Sequence, residues 1–414
     1  MHAGRRPVAT ALVLVLLLGL IPGSFATAKP HEAVRFATFN ASLNRGSDGQ
    51  ALIDLSTSDN VQASNVAEII QRVRPDVLLI NEFDYYAPTA EHPEGPLVEA
   101  FRDNYLEVGH NGAAPIEYPY TFVAESNTGI PSGFDLNNNG VIGGADDAFG
   151  FGFFPGQFGM AVFSRFPIQA DAIRTFQHFL WKDMPGAMLP DDPNTAAPAD
   201  WYSPAELDVF RLSSKSHWDV PITIGRKSVH FLVSHPTPPV FDGPEDRNGT
   251  RNFDEIRFWA DYITTGETSS YIYDDNGLHG GLKGGRLFVI AGDQNSDPLD
   301  GDSIPGSIQQ LLEHDLVNTS LTPSSAGAVE AAALQEGANL THLSDPAFDT
   351  ADFSDTAPGN LRADYVLPRV NLGIVGSGVF WPLQADPLFR LTGVFPFPSS
   401  DHRAVWIDVR VPGA

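Results

Sequence analysis

Six apolar runs in this sequence end or begin on a side chain able to hold a cation or move a proton. Asn40 closes the run 34–40 and Glu82 closes 76–82. His235 follows Phe231-Leu-Val-Ser. Asp293 and Asn295 follow the run 287–292. Asp364 opens a short run to Leu367, and Asp401-His402 precede residues 404–409. A single Asn or Asp at such a place is ordinarily a turn residue bonding its own backbone. Turns alone do not explain six such ends that mix carboxylate, amide and imidazole. The set suits cleavage of a phosphoester. The scissile group is anionic, so a cation must neutralise it, and Mg²⁺ (or Mn²⁺) prefers oxygen ligands. Glu82 offers a carboxylate and Asn40 an amide oxygen. Attack by water needs a base near neutral pH, for which imidazole is best matched. His402 fits that role if a carboxylate such as Asp364 fixes its tautomer. Asn295 and His235 can donate hydrogen bonds to phosphoryl oxygens as negative charge builds.

Such side chains meet only if their strands end on one edge, as in α/β architectures. Residues 34–40 alternate apolar and polar, as a half-buried strand does. In residues 61–74, Val61, Val66, Ile69, Ile70 and Val73 share a helical face, and Arg74-Pro75 ends it. Residues 76–82 read as a buried strand. Strand, helix, buried strand is an α/β opening. Further strands are expected at 160–163, 220–224, 228–234, 286–292, 363–367 and 404–409, the second and third forming a hairpin across Gly225-Arg226-Lys227. Helices are expected at 252–262 and 309–316. The stretches 126–156, 181–207 and 320–361, rich in Gly, Pro, Asp, Asn or Ser, read as loop insertions. No interdomain linker interrupts the pattern, so residues 29–414 are expected to form a single domain decorated by loops.

The N-terminus has the order of a cleaved secretory signal over residues 1–28. Arg5 and Arg6 come first, then the uncharged apolar run 11–21, then Ala26-Thr27-Ala28. A secreted protein is therefore expected, with no transmembrane segment after cleavage. The 414 residues carry no Cys, so no disulfide can staple the fold. The formal net charge is −26 at pH 7. A surface this acidic repels nucleic-acid backbones, so no stable nucleic-acid complex is expected, while Ca²⁺ and Mg²⁺ are compatible partners. The chain is expected to act as a monomer.

Two further features bear on binding. Residues 135–146 read D-x-N-x-N-G-x-I-x-x-x-D, close to an EF-hand calcium loop. Asp135, Asn137 and Asn139 take positions 1, 3 and 5, Val141 offers its carbonyl, and Asp146 takes position 12. Structural Ca²⁺ would pin the insert 126–156; the plain alternative is a polar Gly/Asn turn. Lys215 and His217, just before the strand at 220, are candidates for contact with a substrate phosphate; the plain alternative is a solvated hairpin end.

With these residues in view, the sequence resembles the endonuclease/exonuclease/phosphatase superfamily, which includes deoxyribonucleases, neutral sphingomyelinases and inositol polyphosphate 5-phosphatases. The resemblance rests on Phe36-Ala-Thr-Phe-Asn40, Asp76-Val-Leu-Leu-Ile-Asn-Glu82, Gly159-Met-Ala-Val-Phe-Ser-Arg165, Val233-Ser-His-Pro-Thr237, Gly292-Asp-Gln-Asn295, Arg362-Ala-Asp-Tyr-Val366 and Ser400-Asp-His402, in that order. It implies a four-layer αββα sandwich with long loop insertions. It also implies that Asn40, Glu82 and Asp401 bind the essential metal, and that Asp293 positions water or a second ion. Asn295 and His235 would contact phosphate, and His402 would act with Asp364. The implied activity is metal-dependent hydrolysis of a phosphomonoester or phosphodiester, in a small molecule, a phospholipid or a nucleic acid. This chain lacks the basic loops usual in the family's nucleases, although an extracellular nuclease is still a competing reading. A non-catalytic, calcium-stabilised binding module on the same scaffold is another.

Overall fold

The computed structural model describes residues 1–2 and 33–413; apart from Met1 and His2, the expected signal peptide lies outside the described residues. Layering begins with the alternation of side chains along each strand. In β1 (Val34–Asn40), Phe36 faces one way and Ala37 and Phe39 the other. In β2 (Val77–Asn81), parallel to β1, Val77 and Leu79 join Phe36, whereas Leu78 and Ile80 join Phe39. Both faces are apolar, so both must be covered.

The first sheet has six strands in the order β12 (Gly373–Val379), β13 (Val405–Arg410), β1, β2, β4 (Met160–Ser164), β3 (Tyr120–Phe122). The second has five, in the order β11 (Asp364–Pro368), β8 (Leu287–Asp293), β7 (Lys227–Ser234), β6 (His217–Ile224), β5 (Arg174–Thr175). A short pair, β9 (Ala351–Asp352) and β10 (Asn360–Leu361), stands apart. Three buried apolar clusters fill the spaces between four layers. The helix Val61–Val73 covers the outer face of the first sheet through Val66, Ile69 and Ile70. Phe36, Leu79, Val162, Trp218, Phe231 and Val289 pack between the sheets. The helix Arg247–Ile263 covers the second sheet through Ile256, Trp259 and Ile263, against Leu232, Phe288 and Ile290. This is the αββα sandwich.

Strand direction decides what gathers at one edge. β1 runs parallel to β2, and β7 parallel to β8, so Asn40 lies beside Asn81 and the ends of β7 and β8 lie together. The neighbours β4, β6, β11 and β13 are antiparallel and begin at that same edge, with Met160 opposite Asn81, His217 opposite Ser234, Asp364 opposite Asp293, and Val405 opposite Thr38. Gly292, at the tip of β8, has φ 149°, and a Cβ there would lie 2.0 Å from the Ser234 carbonyl oxygen. Gly292→Ala is therefore expected to lower stability by about 3 kcal/mol, the cost of forcing atoms into a filled site. A shift in the denaturant midpoint without a change in slope would show it.

The elements differ from expectation in several places. The hairpin turns on Gly225-Arg226 alone, and Lys227 already belongs to β7. The helix expected at 252–262 begins at Arg247. Its first turn contains Gly249, a poor helix former, but side chains such as Asn248, which donates to the Val240 carbonyl at 2.7 Å, anchor it. The helix expected at 309–316 stops at Leu312, where the chain turns to bring Val317 beside Arg369. The stretch 320–361, expected as loop, contains the helix Ala326–Gln335 together with β9 and β10. Ser325 caps that helix, accepting the Ala328 N–H at 3.1 Å, but its Ala-rich sequence carries no apolar stripe to reveal it. Among the described residues, no helix is long and apolar enough to cross a membrane.

A candidate active site where the two sheets meet

The face that packs between the sheets becomes polar at the strand ends. Continuing each alternation by two residues leads from Leu79 to Asn81, from Val233 to His235, from Ala291 to Asp293, and from Val366 back to Asp364. Asn81 ties the sheets together. Its Oδ1 accepts from Thr38 Oγ1 at 3.2 Å and from the Asp293 N–H at 3.3 Å.

Asp293 is the hub. Its Oδ2 accepts from Asn40 Nδ2 at 3.0 Å and lies 3.4 Å from His235 Nε2 and 3.6 Å from His402 Nε2. Its Oδ1 accepts the Asn295 N–H at 2.9 Å. The second amide hydrogen of Asn40 goes to Glu82 Oε1 at 3.0 Å. Burial alone would raise the Asp293 carboxyl, but His402 and His235 hold it below the ordinary carboxylate range. Glu82 is pushed the other way. Burial raises it against the Asn40 hydrogen bond, and the charges of Asp401 and Asp293 add to the effect. Asp401 accepts from Ser42 Oγ at 3.3 Å and from Ser400 Oγ at 3.4 Å.

The imidazole of His402 comes from the first sheet and its carboxylate from the second. His402 Nδ1 donates to Asp364 Oδ2 at 2.8 Å. The same oxygen accepts from Thr350 Oγ1 at 2.8 Å, and that hydroxyl in turn accepts the N–H groups of Ala363 and Asp364, each at 2.9 Å. Residues 350–352 also strap the histidine loop from behind. The Asp352 N–H donates to the Asp401 carbonyl, the Arg403 N–H to the Thr350 carbonyl, and the buried Arg403 guanidinium to Asp352 Oδ2 at 2.9 Å. Burial disfavours a charged His402, yet Asp364 and Asp293 outweigh it and hold the imidazole well above its ordinary value. His235 differs: burial, reinforced by the charge of Lys215, brings it down to about 4, so it is neutral. Among the described residues, His235 Nδ1 and Asp364 Oδ1 are buried with no hydrogen-bond partner.

The eight residues at the six strand ends, namely Asn40, Glu82, His235, Asp293, Asn295, Asp364, Asp401 and His402, are thus gathered at one edge of the sandwich. Asn81 and Thr350 join them without having been anticipated. Strand alternation would have found Asn81; no sequence signal marks Thr350.

One expectation needs correction. His217 does not face a substrate. Its Nδ1 meets Ser213 Oγ, its Nε2 lies 2.9 Å from the Glu255 carbonyl, and its ring packs on Phe258 and Trp259; burial brings it down to about 3 against the pull of the Glu255 carbonyl. Depth under the helix Arg247–Ile263 makes it a core residue. In the EF-hand-like loop, Asp146 is exposed, and it is Asp147 that turns inward, accepting the N–H groups of Leu136 at 2.8 Å and Gly143 at 2.7 Å. Asp135 accepts the N–H groups of Asn139 and Gly140, and Asn139 Oδ1 that of Val141, while Asn137 Oδ1 accepts the Asn139 N–H at 3.2 Å. The loop is pinned to the rest of the chain by the Trp201 Nε1 bond to the Leu136 carbonyl at 3.1 Å. Lys215 is buried, so it is not a solvated hairpin end either.

Among the described residues, the His and carboxylate donors close enough to share an ion are Asp293, Asp364 and His402, all within 4.8 Å of one another. This is not the set expected from the sequence. In that trio Asp364 Oδ2 is engaged by His402 and Thr350, and the imidazole itself can carry the balancing positive charge. The Glu82 and Asp401 carboxylates with the Asn40 amide oxygen could supply an all-oxygen donor set, the kind that suits a hard divalent cation.

Residues 37–402 match the profile of the Endonuclease/Exonuclease/phosphatase family. A search of curated proteins returns no match. Similar solved structures include an endonuclease/exonuclease/phosphatase from Beutenbergia cavernae (16% identity, 92% of this chain and 72% of that one, TM-score 0.47). A family protein from Leptotrichia buccalis is similar too (14% identity, 92% and 100%, TM-score 0.46). So is a beta toxin variant from Staphylococcus aureus with bound magnesium ions (13% identity, 91% and 99%, TM-score 0.43).

Proposed function

This chain belongs to the Endonuclease/Exonuclease/phosphatase family, and from that premise we propose that it is an exported metal-dependent phosphoesterase in which His402 is the general base. The family's reaction is hydrolysis of phosphoester bonds, and this chain is an enzyme of that kind. The observation that carries the finer reading is the His402–Asp364 pair, joined across the two sheets beside the carboxylates of Asp293, Glu82 and Asp401.

Asn40, Glu82 and Asp401 would hold Mg²⁺ or Mn²⁺. When bound, the ion supplies positive charge to the phosphoryl oxygens and offsets the carboxylates that otherwise keep His402 protonated. His402, with its Nδ1–H given to Asp364, turns the Nε2 lone pair toward Asp293. It takes the proton of a water that Asp293 orients, and that water attacks phosphorus. Neutral His235 and the Asn295 amide donate to the phosphoryl oxygens as charge accumulates. Thr350 and Asn81 hold these groups in place without touching substrate. Export rests on the order of residues 1–28.

The test is turnover by residues 29–414 on a bis-aryl phosphodiester, an aryl phosphomonoester and plasmid DNA, with Mg²⁺, Mn²⁺, Ca²⁺ or chelator. Chelator-sensitive cleavage is the expected result, and the preferred substrate separates a nuclease from a small-phosphoester or phospholipid hydrolase. A folded protein inert in every metal would return the case to a binding module.

A further inference from the structure

An acidic site in an acidic protein must still attract an anion. Around Asp293 stand Glu82, Asp364 and Asp401, and the whole chain carries a formal charge of −26. Lys215 is the exception in this setting. It is only 7% exposed, and among the described residues no carboxylate lies in ion-pair contact with its ammonium. Drawing a lysine this far out of water is costly, and surface lysines are the norm.

Its surroundings are held by hydrogen bonds. Glu255 lies beside it, but the two Glu255 oxygens are taken by the N–H groups of Ser214 and Thr237, each at 2.6 Å. Glu255 thereby fastens the Lys215 loop to the loop that follows His235. Asn127 secures the loop from the other side, donating to the Ser213 carbonyl at 2.7 Å and accepting nothing from Lys215 but offering its own N–H to the Lys215 carbonyl at 2.8 Å. The Ser214 carbonyl oxygen sits 1.8 Å from where a Cβ on Gly150 would be, an approach only glycine permits. The backbone that carries Lys215 is therefore fixed. The buried guanidinium groups nearby are committed, Arg251 to backbone carbonyls and Arg403 to Asp352. Burial lowers the basicity of the lysine, while Glu255, Glu82 and Asp293 support its charge, and that charge is felt by His235. The Ser214 hydroxyl donates to the His235 carbonyl at 3.3 Å and His217 lies opposite Ser234, so the Lys215 backbone runs directly alongside the His235 turn of the site.

We propose that the Lys215 ammonium binds the non-bridging oxygens of the substrate's phosphoryl group, and that this side-chain cation, alongside the divalent ion and in place of a basic surface, gives the acidic protein its hold on an anionic substrate. The proposal rests on the phosphoesterase reading and specifies its substrate-binding step.

The experiment compares wild type with Lys215→Met by kcat/KM on a bis-aryl phosphodiester and by competition from inorganic phosphate. Lys215→Met is expected to lower kcat/KM by about 10²–10³-fold, the range for losing one preorganised charge-stabilising group. It should weaken inhibition by phosphate by at least roughly tenfold, since a charge-assisted contact is lost, while the Mg²⁺ concentration for half-maximal rate stays put. Thermal stability should hold or rise, because the residue no longer buries a charge. Lys215→Met with wild-type kcat/KM and wild-type phosphate inhibition would overturn the proposal. Lys215→Gln gives the same comparison should the Met variant not fold. Were wild type to cleave no phosphoester, the function reading would fail, and calorimetric binding of phosphate with and without Lys215 would still decide this inference.

Discussion

Glu82→Ala is expected to remove chelator-sensitive turnover almost entirely, by roughly 10³-fold or more, the several kcal/mol that a bound cation contributes to the transition state. Glu82 is the carboxylate that Asn40 holds in place, crowded by Asp401 and Asp293 and raised by burial. That crowding is unfavourable without a cation and favourable with one. Loss of the side chain should therefore weaken divalent-ion binding, seen by calorimetry, without lowering the thermal midpoint of the metal-free protein. Full activity retained by the variant would end the assignment of Glu82 as a metal ligand. A fall in the midpoint that matches the loss of activity would mean that Glu82 serves the fold.

His402→Ala is the second large effect, a fall in kcat of about 10²–10⁴-fold, typical of a lost general base. The pH dependence separates this role from a structural one. A base works only when deprotonated, so the wild-type rate should rise with pH as the imidazole gives up its proton. Asp364 and Asp293 raise the imidazole in the metal-free protein, so its proton is released later than from a free histidine. In His402→Ala the residual rate should lose that acid limb. Asp364→Asn should keep the histidine but release it from its partner, giving a smaller loss of kcat. A variant at 402 with an unchanged rate–pH profile would place the base elsewhere.

The strand ends were legible because each carries a polar residue exactly where an apolar run stops being apolar, and backbone alternation does the rest. Asn40, Glu82 and Asp293 are such cases. Asn81 was equally legible in principle, since it lies two residues beyond Leu79 on the same face. Thr350 was not, because its role exists only through a crossing that brings Ala351 beside His402. Nothing local to His217 says how deeply the start of β6 lies under a helix. Asp146 and Asp147 are adjacent, and which of them turns into the loop is settled by the tertiary path, not by spacing.

The division of the site between the sheets has a mechanical consequence. His402 belongs to one slab of the sandwich and Asp364 to the other, and the 2.8 Å bond between them spans the seam. The apolar filling between the slabs, with Phe231, Val289 and Leu79 in it, and the 350–352 strap together hold that bond in register. If His402 is the base, as proposed, catalytic rate would depend on how the two slabs sit against each other. Shaving that filling far from any reacting atom would detune the enzyme before it unfolded it.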